Sequence, residues 1–168
     1  EDNGAHALGE HPGDSINVKY NESIFVGYRW ADKQKKTKPL FAFGHGLSYT
    51  TFAYGKATAT KKSLTADETI TFTVPVKNTG SREGSEVVQL YIGDKKSALP
   101  RPIKELKGFS KVKLAPGEEK MVNFTIDKTD LSYYDDTQNR WVAEPGAFEA
   151  FVGASSADIR STVSFELK

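Results

Sequence analysis

The sequence predicts an all-β protein, an antiparallel β-sandwich preceded by an irregular connector. Three observations carry that prediction. From residue 52 onward apolar residues recur with a period of two, in runs of roughly five to nine residues. Turn-forming Pro, Gly, Asp and Asn divide these runs at roughly ten-residue intervals. No segment keeps a 3.6-residue apolar period for more than about a turn, so helices have little place. The chain therefore divides into a connector, 1–51, and a sandwich, 52–168.

The elements follow in order. A first strand falls near Ala53–Thr60. In ETITFTVPVKN, Ile70, Phe72, Val74 and Val76 alternate with Thr69, Thr71, Thr73 and Pro75, which buries one face; Pro75 has no N–H to donate and sets this strand at an edge or beside a bulge. In SEVVQLYIGD, Val88, Leu90 and Ile92 share one face and Val87, Gln89 and Tyr91 the other, so this strand is apolar enough to lie centrally. KELKGFSKVKL places Leu106, Phe109, Val112 and Leu114, and a bulge at Gly108 restores the alternation. KMVNFTID buries Val122, Phe124 and Ile126. Ala115-Pro116-Gly117-Glu118 and Glu144-Pro145-Gly146-Ala147 each put Pro second and Gly third, as a type II turn requires. A short strand at Arg140–Ala143 precedes AFEAFVGAS, where Phe148, Ala150 and Val152 are in step, and STVSFELK closes the chain with Val163, Phe165 and Leu167. Seven or eight strands in this order make an immunoglobulin-like or fibronectin type III-like sandwich.

The connector has another grammar. It holds all three histidines, His6, His11 and His45, and one of the two tryptophans. Within YNESIFVGYRW, residues 20–30, a short amphipathic element fits either period. Lys33, Lys35, Lys36 and Lys38 form a solvated loop. Next comes PLFAFGHGLSYTTF, residues 39–52, where Phe41, Phe43, Leu47, Tyr49 and Phe52 are too many apolar groups for a linker in water, so something should cover them. If Phe43 is a packing residue, Phe43→Ala costs about 3–5 kcal/mol when the ring is fully buried, and less at an interface.

Composition narrows the function. With 168 residues there is room for one domain and an appendage. Zero Cys excludes disulfides and thiolate chemistry. Lys and Arg number 23 against 22 Asp and Glu, for a net charge of +1, so no overall field draws nucleic acid or an anionic membrane. No run approaches the roughly 20 apolar residues of a membrane helix, and the chain starts at Glu1 without the basic and apolar regions of a signal peptide.

Candidate chemistry is sparse. A glycosidase needs two carboxylates across a sugar, one of them with a raised pKa. Asp135 and Asp136 lie in YYDDTQNRW, where Asp and Asn favour a turn. Glu118 and Glu119 follow a Pro-Gly turn and are read as solvated. Glu22 and Asp32 flank the 20–30 element, and Arg29 can pair with either. The three histidines have no HxH or HExxH spacing, so no metal site is expected, and no cofactor motif of the GxSxG, GxxxxGK[ST] or GxGxxG kind appears. Trp30, Trp141, Tyr133 and Tyr134 offer flat faces for sugar stacking, against which packing in the core or at an interface is the favoured reading. Asn21-Glu22-Ser23 and Asn123-Phe124-Thr125 match the glycosylation acceptor pattern.

Five segments resemble a known family, the C-terminal end of glycoside hydrolase family 3, the β-glucosidases and their β-xylosidase relatives. YNESIFVGYRWAD at 20–32 is similar to that family's Y-x-E-G-I-x-V-G-Y-R-aromatic-x-D segment, and PLFAFGHGLSYTTF at 39–52 to its PLFPFGHGLSYTTF signature. VKNTGSREGSEVVQLYIGD at 76–94, RPIKELKGFSKVKLAPGE at 101–118 and DLSYYD at 130–135 resemble its fibronectin type III-like domain. The likeness runs from Gly13 to Gly153, with Ser23, Ala31 and Ala42 as departures. It implies a parent enzyme that releases terminal β-D-glucosyl residues with retention of configuration, or a β-xylosidase. The nucleophilic aspartate would lie in an upstream barrel and the acid glutamate in the following α/β layer, so this chain would carry no catalytic residue and act as an accessory part. The connector would then be the tail of that α/β layer and a strap, with Tyr28, Arg29, Trp30, Phe41, Phe43, His45 and Tyr49 packing between domains. The expected partners are the upstream catalytic domains and, through Trp141, Tyr133 and Tyr134 acting as a carbohydrate-binding module, an oligo- or polysaccharide. A secreted or periplasmic location accompanies this reading.

Overall fold

The computed structural model describes residues 16–17, 20, 22–34 and 38–168; His6, His11, Asn21, Lys35 and Lys36 lie outside the described residues. In chain order the elements are α1 (Tyr28–Lys33), β1 (Phe52–Tyr54), β2 (Thr58–Ala59), β3 (Ser63–Leu64), β4 (Ile70–Asn78), β5 (Gly84–Asp94), β6 (Glu105–Leu114) and β7 (Glu119–Ile126). There follow α2 (Lys128–Leu131), β8 (Tyr133–Asp135), β9 (Arg140–Val142), β10 (Gly146–Gly153) and β11 (Ile159–Leu167). The described residues thus form the predicted β-sandwich, with two short helices added. In α2 the Asp127 carboxylate accepts from the Thr129 N–H at 2.7 Å while Asp130 accepts from the Asp127 N–H, a reciprocal cap that the DKTD spelling encodes.

One sheet is built on β4. Strand β7 runs antiparallel along one of its edges, from Ile126 opposite Ile70 to Glu119 opposite Lys77. Strands β1 and β2 share the other edge, which corrects the single strand read over 53–60. The break has a local cause. Four residue steps from Tyr54 to Thr58 face three from Val76 to Thr73, so the edge carries one extra residue opposite Pro75. Pro75 turns its carbonyl to this edge, where the Gly55 N–H donates to it at 2.8 Å, but has no N–H to return the bond. Gly55 fits because a Cβ there would run into the Pro75 ring.

The second sheet has the order β3-β11-β10-β5-β6. Strand β5 is an interior strand, between β10 and the edge strand β6, and is buried on both faces from Val88 to Gly93. Strand β3 pairs with β11 in parallel, an exception to the antiparallel expectation. In β6 the register slips so that Gly108 opposes Leu90 and Leu106 opposes Tyr91, leaving Lys107 as a bulge. This shift turns Gly108 toward Phe124 and sends Phe109 outward, 70% exposed, which corrects its assignment to the core. The Pro-Gly turns also part ways: Gly117 has φ 77 and the Glu118 N–H donates to the Ala115 carbonyl at 3.0 Å, as type II geometry requires, whereas Gly146 has no positive φ and simply opens β10.

The core lies between these sheets. Ile70, Phe72, Val74, Val76, Val122 and Ile126 meet Val88, Leu90, Phe148, Val152, Phe165 and Leu167, and Phe165 lies edge-on to Phe72 at 5.3 Å and stacked on Phe148 at 5.7 Å. The outer faces differ in kind. On the four-stranded sheet Thr71 bonds Thr125 at 2.8 Å and the Thr73 hydroxyl donates to Asn123 at 2.7 Å, a polar ladder that includes the 123–125 glycosylation triplet. On the five-stranded sheet the outward positions include Val87, Gln89, Tyr91, Phe109 and Phe151. The connector lies on this second face.

Candidate functional site

Helix α1 begins after Gly27, whose φ of 58 turns the chain without a side-chain cap. One side of it reaches the outer sheet face. The Tyr28 ring stacks on Phe43 with centroids 4.9 Å apart and meets Tyr91 edge-on at 5.8 Å, while its hydroxyl accepts from the Leu106 N–H at 2.9 Å. Arg29 pairs with Glu105 at 3.1 Å and Asp32 with Lys104 at 2.5 Å. The expected pairing of Arg29 with Glu22 or Asp32 is therefore corrected: the helix turns both Arg29 and Asp32 toward the start of β6, where charges of the opposite sign stand ready. Trp30 is partly buried on the same helix.

Behind these pairs sits a second ion cluster. The Arg101 guanidinium, almost fully buried, holds Glu105 at 2.9 Å, Asp94 at 3.4 Å and the Leu131 carbonyl at 2.9 Å. It also lies over the Tyr133 ring at 5.5 Å. Glu105 thus joins the helix to the sandwich through two arginines.

The strap from Pro39 to Thr51 follows β5 backward. Phe43 lies against Tyr28, and its carbonyl accepts from the Ser156 N–H at 2.9 Å. Gly44, φ 80, presses on Gln89, where a Cβ would collide with the amide. Buried Gln89 donates to the Ala154 carbonyl at 2.9 Å and accepts from the Tyr91 hydroxyl at 2.5 Å. Burial, with Tyr28 and Asp32 adding to it, pushes the Tyr91 phenol above its usual range, so that hydroxyl stays a donor. Further along, Ser48 and Thr50 pass close to Gly84. The strap ends on Asn78, fully buried. Its carboxamide oxygen accepts from Thr50 at 2.7 Å and from the Gly80 N–H at 3.0 Å, and its nitrogen donates to the carbonyls of Arg82 at 2.7 Å and Leu114 at 3.0 Å.

The other side of the strap is bare. Leu47 and Tyr49 are 94% and 93% exposed, Phe41 stands out beside His45 with ring centroids 5.4 Å apart, and Phe43 is half exposed. The strap is therefore docked through Tyr28, Phe43 and Gly44 and presents Leu40, Phe41, Leu47 and Tyr49 outward.

Of the four aromatic residues considered for sugar stacking, Trp30 lies apart on α1, and the three of the β8–β9 hairpin divide. Tyr134 and Trp141 face each other across the β8–β9 hairpin, edge-on at 5.6 Å and both exposed. Tyr133 points the other way, donates to Glu144 at 3.0 Å and carries Arg101 on its ring. The acidic residues divide as well. The Asp135 carboxylate is taken up by its own turn, accepting from the Thr137 hydroxyl at 2.6 Å and N–H at 2.9 Å, and these bonds hold it below the usual carboxylate range. Glu118 likewise caps the Ala115 N–H at 2.7 Å and is held low by that bond. Among the described residues the carboxyl pushed upward is Glu86, mainly by burial; it faces into the sandwich and accepts from Tyr54 at 2.8 Å. It lacks the open setting a general acid needs. No group of three metal-ligating side chains stands together among the described residues.

Comparison with known proteins places this architecture. A fibronectin type III-like domain model matches residues 86–156. Over 99% of its length the chain is 54% identical to a β-glucosidase of Bacteroides ovatus, and covers 22% of that protein. The solved glycoside hydrolase family 3 β-glucosidase of Bifidobacterium adolescentis superposes with a TM-score of 0.87 at 37% identity, over 95% of this chain and 23% of that one. The chain matches the C-terminal fifth of family 3 β-glucosidases, the fibronectin type III-like domain included. A second solved relative, the β-glucosidase of Kluyveromyces marxianus in complex with glucose, superposes with a TM-score of 0.81 at 44% identity, over 90% of this chain and 18% of that one. This chain thus spans about a fifth of the length of its multidomain relatives.

Sequence reasoning passed over Asn78, Gln89, Tyr91, Lys104 and the Arg101 cluster. Each has a partner far along the chain, Thr50 and Leu114 for Asn78, Ala154 for Gln89, Tyr28 for Tyr91, Asp32 for Lys104 and Leu131 for Arg101, and no local signal marks these. A buried amide in an otherwise apolar strand, as Gln89 is, was the one available hint.

Proposed function

We propose that this chain is the accessory C-terminal portion of a retaining β-glucosidase that acts on terminal, non-reducing β-D-glucosyl residues, and that it stabilises the enzyme without contributing a catalytic group. The observation that carries this reading is the 54% identity spread over 99% of the chain, to a β-glucosidase more than four times as long. The strap supports it: one side is anchored on the sandwich and the other offers aromatic rings that a neighbouring layer would bury. Its partners are the upstream catalytic domains, and a secreted or periplasmic location is part of the proposal. A β-xylosidase parent is the nearest variant, and comparing aryl glucoside with aryl xyloside turnover by the longer enzyme separates the two.

The exposed Tyr134–Trp141 pair favours a second reading, a carbohydrate-binding module. Two assays on the purified 168 residues decide between them. The accessory reading expects no hydrolysis of an aryl β-glucoside; turnover lost on Glu22→Gln or Asp136→Asn would overturn it. The module reading expects calorimetric heat with cello-oligosaccharides that Trp141→Ala abolishes, and a flat titration removes it.

A further inference from the structure

We propose that the outer face of the five-stranded sheet, with the strap lying on it, is the surface that the preceding catalytic layer covers, while the outer face of the four-stranded sheet stays in water. This inference rests on the accessory reading and adds which side of the sandwich meets the enzyme.

The two faces are chemically opposite. The four-stranded sheet shows water Thr58, Thr71, Thr73, Asn123 and Thr125, and Thr71 already bonds Thr125 and Thr73 bonds Asn123 across the strands, so these paired side chains are satisfied in solvent. Met121 is its exposed large apolar residue. The five-stranded sheet shows Phe109 and Val87 on β6 and β5, and the strap adds Leu40, Phe41, Leu47 and Tyr49, all exposed. These groups are contiguous. Phe109 stands opposite Gln89, the residue on which Gly44 presses, and the strap runs on from Gly44 along β5 to Gly84. Apolar groups gathered in this way along the strap and the strands beneath it, with Lys111 opposite Val87 at their margin, mark an interaction surface, whereas scattered single residues do not.

The occupant follows from continuity. The strap is the segment by which the chain arrives at the sandwich, and its inner side is already seated through Tyr28, Phe43 and Gly44. A layer that precedes the strap in the same polypeptide is placed on its bare side without a separate docking event, at the high effective concentration a short tether supplies. The relatives have such layers, since this chain amounts to 22% and 23% of two of them.

Hydroxyl-radical footprinting of the longer enzyme, read against the same enzyme unfolded in urea, tests this assignment. Phe41, Tyr49 and Phe109 are expected to be protected several-fold on folding, and Met121 to be modified at close to its unfolded rate. Phe109→Asp then lowers the Tm of that enzyme while Met121→Asp leaves it unchanged. The reverse pattern, Met121 protected with Phe109 and Tyr49 open, overturns the face assignment and leaves the accessory reading intact. Protection that disappears on dilution identifies a second copy as the occupant and also overturns it. A reading frame that encodes no catalytic layers ahead of Glu1 overturns both, so sequencing the DNA distinguishes the two failures.

Discussion

At the residue scale the strap depends on positions whose side chains, or lack of one, are fully engaged. Gly44 combines φ 80 with direct pressure on Gln89, and Gln89 is fixed by Tyr91 and the Ala154 carbonyl, so it has nowhere to move. Gly44→Ala is expected to cost about 1–2 kcal/mol from backbone strain alone, with the Gln89 collision on top. Gly46→Ala is the control: a Cβ there meets nothing within 4 Å and the backbone has no positive φ, so thermal denaturation should detect a loss only in the first variant. Asn78 is the second such position. Its side chain satisfies Thr50, Gly80, Arg82 and Leu114, which belong to the strap, the following loop and β6. Asn78→Ala strands the buried Leu114 carbonyl and its neighbours at about 1–3 kcal/mol for each group left unpaired, and a matching fall in the denaturant midpoint should follow.

At the scale of elements, charge and aromatic contacts decide where α1 sits. Arg101 neutralises Asp94 and Glu105 in a nearly dry setting, and Glu105 in turn holds Arg29. Arg101→Ala leaves the Asp94 carboxylate buried without its cation, a loss of about 3–5 kcal/mol that urea denaturation should register, while Lys113→Ala, which breaks an exposed pair with Glu83, should change little. The sequence made the strands readable for a physical reason. A half-buried strand must alternate, so Ile70 to Val76 and Val122 to Ile126 announce themselves, and Pro75 announces the ragged edge where β1 gives way to β2. Alternation fails where the backbone changes phase. The bulge at Lys107 reversed the assignment of Phe109, and nothing periodic in residues 28–51 indicates which of its rings dock and which face out. The resemblance carried what periodicity did not, because PLFAFGHGLSYTTF is a spelling that packing alone does not dictate. Long-range partners stayed hidden in either case: Lys104 meets Asp32 across 72 residues, and the order in the chain gives no warning of it.

At the scale of the whole molecule, opposing titrations set how stability varies with pH. Glu144 is held low chiefly by the Ala98 N–H, Asp158 by Arg160 and Asp135 by the Thr137 hydroxyl, and Glu68 is brought down to about 2 by Lys61 and the Thr65 backbone. Each of these depressed carboxylates adds stability that is present above its unfolded pKa, 3.8 for Asp and 4.5 for Glu, and is lost as pH falls through the lower folded value. Glu86 works in the opposite sense. Burial at the end of the core raises its pKa, against the Tyr54 hydrogen bond and the Arg160 charge that favour the anion, so its contribution is complete below 4.5 and disappears as pH rises through the folded value. Glu86→Gln keeps an acceptor for the Tyr54 hydroxyl and never ionises. It is therefore expected to match the parent protein near pH 4 and to exceed it in urea midpoint at pH 7, with the difference opening as pH climbs above 4.5. A constant difference at every pH would show that folding leaves the Glu86 pKa unshifted, and a variant less stable at pH 7 would show that the Arg160 attraction outweighs the cost of burial.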